Sequence, residues 1–307
     1  MQKGDNVLCL GNMCWDNTKG TNRLPMPGEK TTATYSLKRL GAGATNAAIC
    51  CAKLGLVPHL HVPVGVDEFG EMAERRLAKH NIQLIRRDAD TTPINDVYPL
   101  MGDRAILRDV PVNYLQPNEF KKLEPDDYAV LLLDGHQADA ARYHAETFGN
   151  AGRLVLLDCN DRPNTDELLG LTGVAVAGES YMKACGYEEP DALLDYFRRK
   201  GCRVGGVTLG EHGVRWYADD GEPVSTPALE VPGWRSKNTN GLGDAFHGAL
   251  AYACAQWPDQ TWEYRMLFAS YYSGLMLKLS DRDRVYPTVE NVLALLNSRP
   301  QLVRAAG

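Results

Sequence analysis

The sequence predicts an α/β fold: three layers, with a mostly parallel central sheet between helices and a small β-sheet lid projecting from it. Three observations carry this. Short apolar runs ending in Gly or Asp recur along the chain, each followed by an amphipathic stretch; such strands belong to a parallel sheet covered on both faces. The 307 residues, 44% hydrophobic and 23% charged, supply ample material for a buried core. Two segments, one of them Thr- and Tyr-rich, break the alternation and are too small to fold alone.

The elements follow in order. NVLCLGN reads as a first strand, and GATNAAICCAKLG as a helix rich in small residues and closed by Gly55. HLHVPVGVD is a strand, with the helical EFGEMAERRLAKHN behind it. YAVLLLDG, RLVLLDCN, GVAVAGE and VGGVTLG continue the strands; ADAARYHAETFGNAG and DALLDYFRRKG continue the helices. Residues 92–110 have the pattern of a hairpin around Gly102 and Asp103, and residues 17–40 have strand character with turn residues. We read residues 1–307 as a single domain in which these two segments, about 17–40 and 92–110, are lid insertions over the active site.

A net charge of −6 argues against a nucleic-acid or membrane-surface binder, which would carry a basic bias. The apolar run VLCL near the N-terminus is too short for a signal-peptide core or a membrane span. The eight cysteines form no CxxC pair and no cysteine–histidine cluster, so free thiols in a reducing, cytoplasmic setting are expected.

The chemistry concentrates in NTNGLGDAFHGAL, residues 238–250. Gly241 and Gly243 permit backbone conformations that aim successive N–H groups into one space, and the helix that follows adds its positive end. Such a pocket stabilises a phosphoryl group in flight. Asp244 at its mouth is placed to accept a proton from a substrate hydroxyl. Taken alone, Asp244 serves equally well as a helix cap behind a tight glycine turn.

This stretch resembles the C-terminal signature of the ribokinase-like (PfkB) carbohydrate kinase family, D-T-x-G-A-G-D-x-F, here Asn238-Thr239-Asn240-Gly241-Leu242-Gly243-Asp244-Ala245-Phe246. GNMCWD resembles the family's first strand, LPMPGEK its approach to the lid, GAGATNAAICCAKLG its Gly-Gly-x-x-x-Asn-x-Ala segment, and VTLGEHG its nucleotide-site stretch T-x-G-x-x-G. Four landmarks in order, over nearly the whole chain, are a specific signal. The resemblance implies a ribokinase-like α/β/α sandwich and an ATP- and Mg²⁺-dependent kinase. Its substrate residues would be Asp16, Gly41, Ala42 and Asn46, and its nucleotide residues Thr208, Gly210, Gly213, Gly241 and Gly243. Asp244 would be the base, with Gly241, Leu242 and Gly243 as the anion hole. Carboxylate and amide groups such as Asp16 and Asn46 suit sugar hydroxyls, although singly either also fits a turn or a cap. The family's projecting sheets often pair, so a homodimer through the lid is expected, favoured by Tyr35, Leu37, Val97, Tyr98 and Leu100 over the charged Lys38, Arg39 and Arg104.

The chain departs from the pattern at several points. Asn238 replaces an aspartate in a neighbourhood that helps hold a monovalent cation, which puts K⁺ activation in doubt. AVAGESYM stands where relatives carry N-x-x-E: Glu179 is a candidate Mg²⁺ residue or a helix cap, while Gly178 and Tyr181 replace the motif's ends. Asp283-Arg284-Val285 replaces a Gly-Ala pair, which points to an altered nucleotide-base pocket. Cys14 and Trp15 do not favour ribose; Trp15 suits a sugar-stacking face or the core. Arg108, from the lid hairpin, is a substrate candidate that would suit an anionic sugar, against the plainer reading of a solvated charge. His136, His212 and His247 have no metal-binding spacing and are read as surface or structural.

The expected function is an ATP-dependent kinase acting on a hydroxyl of a sugar or sugar-like molecule. The alternatives are a catalytically impaired sugar or nucleotide sensor of the same fold, and a nucleoside kinase of the family.

Overall fold

A computed structural model describes residues 6–100, 103–109, 120–281 and 283–298. Seven strands build the parallel part of the main sheet: β1 (Asn6–Leu10), β4 (His59–Gly65), β5 (Gln83–Ala89), β8 (Tyr128–Leu133), β9 (Leu154–Cys159), β10 (Val174–Gly178) and β11 (Val204–Thr208). β12 (Val214–Ala218) and β13 (Val224–Thr226) add antiparallel at one edge, giving the order β13-β12-β11-β10-β9-β8-β1-β4-β5. β5 escaped the sequence reading because Arg86, Arg87 and Asp88 interrupt its apolar run, as an edge strand allows.

Side chains alternate across this sheet and feed two cores. On β1, Val7 and Cys9 enter one core, whereas Leu8 and Leu10 enter the other. The first core packs beneath α1 (Gly43–Lys53), α2 (Glu68–Lys79), α7 (Leu242–Gln256), α8 (Trp262–Leu279) and α9 (Val289–Asn297). The second packs beneath α3 (Ala138–Asn150), α4 (Thr165–Leu169), α5 (Glu179–Ala184) and α6 (Pro190–Arg199). This is the three-layer arrangement that the apolar runs predict.

α7 is buried along its length from Ala245 to Ala255, between α8, α1 and the sheet. Gly248 makes the approach to α1 possible: a Cβ there would lie 2.7 Å from the Ala47 carbonyl oxygen and 2.8 Å from Cys50 Cβ. Among the described residues no helix is long and apolar enough to cross a membrane. Seven cysteines are buried free thiols and Cys185 is exposed.

The second sheet has the order β3-β2-β6-β7, from β2 (Cys14–Gly20), β3 (Tyr35–Gly41), β6 (Ile94–Leu100) and β7 (Asp103–Leu107). The β6–β7 hairpin matches the expected one; its turn glycine Gly102, and residue 110 at the segment's end, lie outside the described residues. Trp15 takes the core reading of the two it allowed, 3% exposed with its indole N–H donating to the Phe69 carbonyl at 3.0 Å. Two expectations about this sheet need correction. Arg39 is not an edge charge: it is buried and pairs with Asp283 at 2.8 Å. Val97 is fully buried and adds no such surface, whereas Tyr35, Leu37, Tyr98 and Leu100 are half-buried and Ile106 and Leu107 on the edge strand β7 are exposed.

Candidate active site

The site lies beyond the carboxyl ends of β1, β8, β9 and β10, where the N-terminal ends of α1 and α7 meet the root of the small sheet. Two glycine-dependent turns shape it. Gly241, the N-cap of α7, has φ +83°, a conformation glycine adopts without penalty. Gly41 ends β3, where a Cβ would fall 2.5 Å from an oxygen of the Asp16 carboxylate. Next to it, Ala42 caps α1 with φ +77° and ψ +152°, a region costly for any residue with a side chain.

These turns bring distant residues together. Asn46 is the fourth residue of α1, so it is no N-cap; its amide instead donates to the Asp244 carboxylate at 2.5 Å. Asp244 sits in the first turn of α7, which Gly241 caps. Asp16, 7% exposed on β2, accepts from Asn240 Nδ2 at 3.3 Å and from Asn95 Nδ2 at 3.5 Å. Cys14 lies against the same carboxylate at 3.7 Å, and burial, then Asp16, pushes its thiol well above its ordinary pKa.

Arg284 completes the group. It donates from Nη1 to Asn46 Oδ1 at 2.7 Å and from Nε to the Asn240 carbonyl at 3.1 Å, while Nη2 lies 3.9 Å from Asp16. Its side chain is 5% exposed. Burial opposes its charge, but Tyr286, Asp244 and Asp16 outweigh burial and raise its pKa further. Arg284, part of the departure from the Gly-Ala pair, turns toward Asp16 and Asn46. Sequence reasoning missed this role. The signal available was indirect: a cation beside a signature in which Asn238 and Leu242 replace the usual residues.

A second carboxylate group borders the first. Asp134, at the end of β8, is 1% exposed and accepts from the N–H groups of Asn12, Ala44 and His136. Burial alone would raise its pKa; His136 and these donors outweigh it and hold the carboxyl below its ordinary value. Asp158, on β9, has no such donors. Burial, reinforced by Asp244 and Asp134 and opposed by His247, pushes it up to about 6. Neither residue stood out in the sequence, because an Asp that ends a strand reads first as a turn residue.

The remaining candidates lie around this centre. Thr208 ends β11, with its hydroxyl on the Ala177 carbonyl at 3.3 Å. Gly210 and Gly213 form the turn behind it, and a Cβ at Gly213 would collide with the Thr226 carbonyl at 2.0 Å. Glu179 opens α5 and pairs with Lys183 at 2.5 Å, both half-exposed or more. Arg108 is exposed beyond the end of β7, next to Asp109, whose N–H donates to Asn95 Oδ1 at 3.2 Å. His212 is exposed, while His136 and His247 face Asp134 and Asp158.

Comparison with known proteins bears on the family and the fold. The model of the pfkB family of carbohydrate kinases matches residues 5–281. A ribokinase of Mus musculus is 24% identical, covering 92% of this chain and 91% of its own. An ATP-dependent ribose-1-phosphate kinase of Halopiger xanaduensis is 26% identical, covering 95% and 98%. Among solved structures, an Arabidopsis thaliana ribokinase complexed with ribose and ATP superposes with a TM-score of 0.81 at 20% identity, covering 95% of this chain and 99% of its own. A Xylella fastidiosa fructokinase with bound ATP gives 0.78, also at 20%, with 96% and 99% covered. The fold is therefore that of ribokinase, and the chain belongs to the pfkB family of carbohydrate kinases.

Proposed function

We propose that the protein transfers the γ-phosphoryl group of ATP to a hydroxyl of a sugar or sugar-like small molecule, with Asp244 as general base. The observation that carries this is the meeting of Asp16, Asn46 and Asp244 where the N-terminal ends of α1 and α7 reach the root of the small sheet, tied by Arg284. Substrate hydroxyls would donate to Asp16 and bond to Asn46, beside Gly41 and Ala42. Asp244 takes the proton of the attacking hydroxyl. The amides of Gly243 and Asp244 lie in the first turn of α7, which lacks intrahelical acceptors, and receive the charge that develops on the phosphoryl group. Thr208, Gly210 and Gly213 border the path of the ATP phosphates.

Mg²⁺, when bound with ATP, would neutralise phosphate charge. Among the described residues no group of three or more ligating side chains exists, which fits an ion held mainly by phosphates and one or two carboxylates. Glu179 is the candidate, since an exposed i,i+4 pair with Lys183 is weak enough to yield. Asn238 offers a carbonyl oxygen and no charge, so no K⁺ requirement is proposed. The buried thiols favour a cytoplasmic setting.

The test is ADP release measured across sugars, sugar acids, sugar phosphates and nucleosides, with Asp244→Asn as control. Turnover on a sugar-type acceptor, absent in the control, supports the proposal. Turnover confined to nucleosides replaces it with a nucleoside kinase. Tight binding of a sugar with no turnover replaces it with a sensor, a reading favoured by the departures at Asn238, Gly178 and Tyr181.

A further inference from the structure

His247 stands one turn after the glycine loop on α7, and 2% of it is exposed. Both of its ring nitrogens face main-chain carbonyl oxygens: Nδ1 lies 2.8 Å from the Gly243 oxygen and Nε2 lies 3.2 Å from the Val176 oxygen on β10. A carbonyl oxygen only accepts. A neutral imidazole has a single N–H, so it would satisfy one of these contacts and turn a nitrogen lone pair toward the other oxygen. Only the doubly protonated ring donates to both. A buried cation needs a counter-charge, and Asp158 provides one, with Oδ1 at 3.6 Å from Nε2.

We propose that His247 is a buried imidazolium paired with Asp158, and that it acts as a positioning residue for phosphoryl transfer. Through Nδ1 it holds the Gly243 carbonyl, and with it the turn that presents the anion-hole amides. Through Nε2 and Asp158 it ties that turn to β10 and β9. Its positive charge also lies behind the place where negative charge develops, inside the protein where screening is weak. The charged groups that act on Asp158 besides His247 are Asp244 on α7, Asp134 at the end of β8, and His136 beyond it.

The inference rests on the kinase reading for its purpose, but the protonation state can be measured without any sugar. In ¹⁵N-histidine-labelled protein, one buried ring should show both nitrogens protonated at neutral pH, and Asp158→Asn should convert that ring to a neutral tautomer. The same variant should bind ADP with aluminium fluoride, which mimics the transferring phosphoryl group, at least ~10-fold more weakly, while ADP alone changes less than ~3-fold. If the variant fails to fold, the wild-type ring still decides the charge. A neutral His247 ring in the wild type, or equal weakening of both nucleotide complexes, would overturn the proposal.

Discussion

Asn46 on α1 donates its side-chain amide to the carboxylate of Asp244 on α7 at 2.5 Å, joining positions 198 residues apart in the chain. The contact engages Oδ2 of Asp244, and under the proposed function its other oxygen would accept from the substrate hydroxyl. Asp244→Asn should therefore keep the fold and nucleotide binding while lowering kcat by a factor on the order of 10² or more. Steady-state kinetics beside calorimetric ATP binding separates these effects, and near-normal turnover removes Asp244 from the base role.

Arg284 donates to the oxygen of the same Asn46 amide and lies 3.9 Å from Asp16. Arg284→Met leaves Asp16 without its cation and Asn46 Oδ1 without its donor, so the acceptor KM should rise roughly 10-fold or more. Folding stability should fall by about 3 kcal/mol, as when one partner of a buried ion pair is removed. Arg284→Lys should recover little, because one ammonium cannot span Asn46 and the Asn240 carbonyl as the guanidinium does. Urea unfolding with acceptor titrations checks both effects; a lysine variant equal to wild type would contradict this account.

Ala42 holds a backbone conformation suited to glycine. Ala42→Gly should relieve strain that exceeds the entropic cost of the glycine, raising stability by roughly 1 kcal/mol. Thermal unfolding of the two proteins side by side gives the sign directly, and an unchanged or lower Tm counts against strain at this position.

His61 and His144 meet edge to face, with ring centroids 5.9 Å apart. Burial, reinforced for His61 by His144, Arg87 and Lys121, pushes both down to about 4. The unfolded chain binds protons at these rings below about pH 6.5 and the folded one does not. Their contribution is thus complete above that pH and is lost as pH falls from about 6.5 toward 4, on the order of 3 kcal/mol per histidine at most. Denaturant titrations across this range should show the decline, and His61→Leu with His144→Phe should flatten it. A decline of unchanged slope in the double variant would assign it to other groups.

The small sheet exposes Ile106 at 40% and Leu107 at 67% on its edge strand β7. An open apolar edge of this kind favours pairing, and we expect a homodimer through the lid. Light scattering at micromolar concentration should give a two-chain mass, reduced to one chain by Tyr35→Asp with Leu107→Asp. A one-chain mass for the wild type would exclude this dimer.

The parts of the molecule legible in the sequence are those with strong local patterns. Apolar strands such as YAVLLLDG announce themselves because both faces are buried, and the glycine turn before α7 because Gly241 takes its positive φ without penalty. Asp244 and Asn46 were singled out through spacing within a known pattern, but their contact with each other was not. Arg284, Asp158 and His247 were not, for a physical reason: each acquires its role from a neighbour between 44 and 238 residues away in the chain. No periodicity records such meetings. The conformation of Ala42 was equally silent, since alanine by itself suggests ordinary helix.

Asp283 and Arg284 are consecutive, yet they grip different bodies. Asp283 holds Arg39 on the small sheet, and Arg284 holds Asn46 on the core helix α1. The two grips, one residue apart in the chain, thus link the small sheet to α1, whose Asn46 amide bonds Asp244. They differ in robustness. The Asp283 side chain is 63% exposed, where dissolved salt screens its ion pair, whereas the Arg284 end is buried and keeps its strength. Rising ionic strength thus weakens the Asp283–Arg39 pair while the buried contact of Arg284 with Asn46 persists.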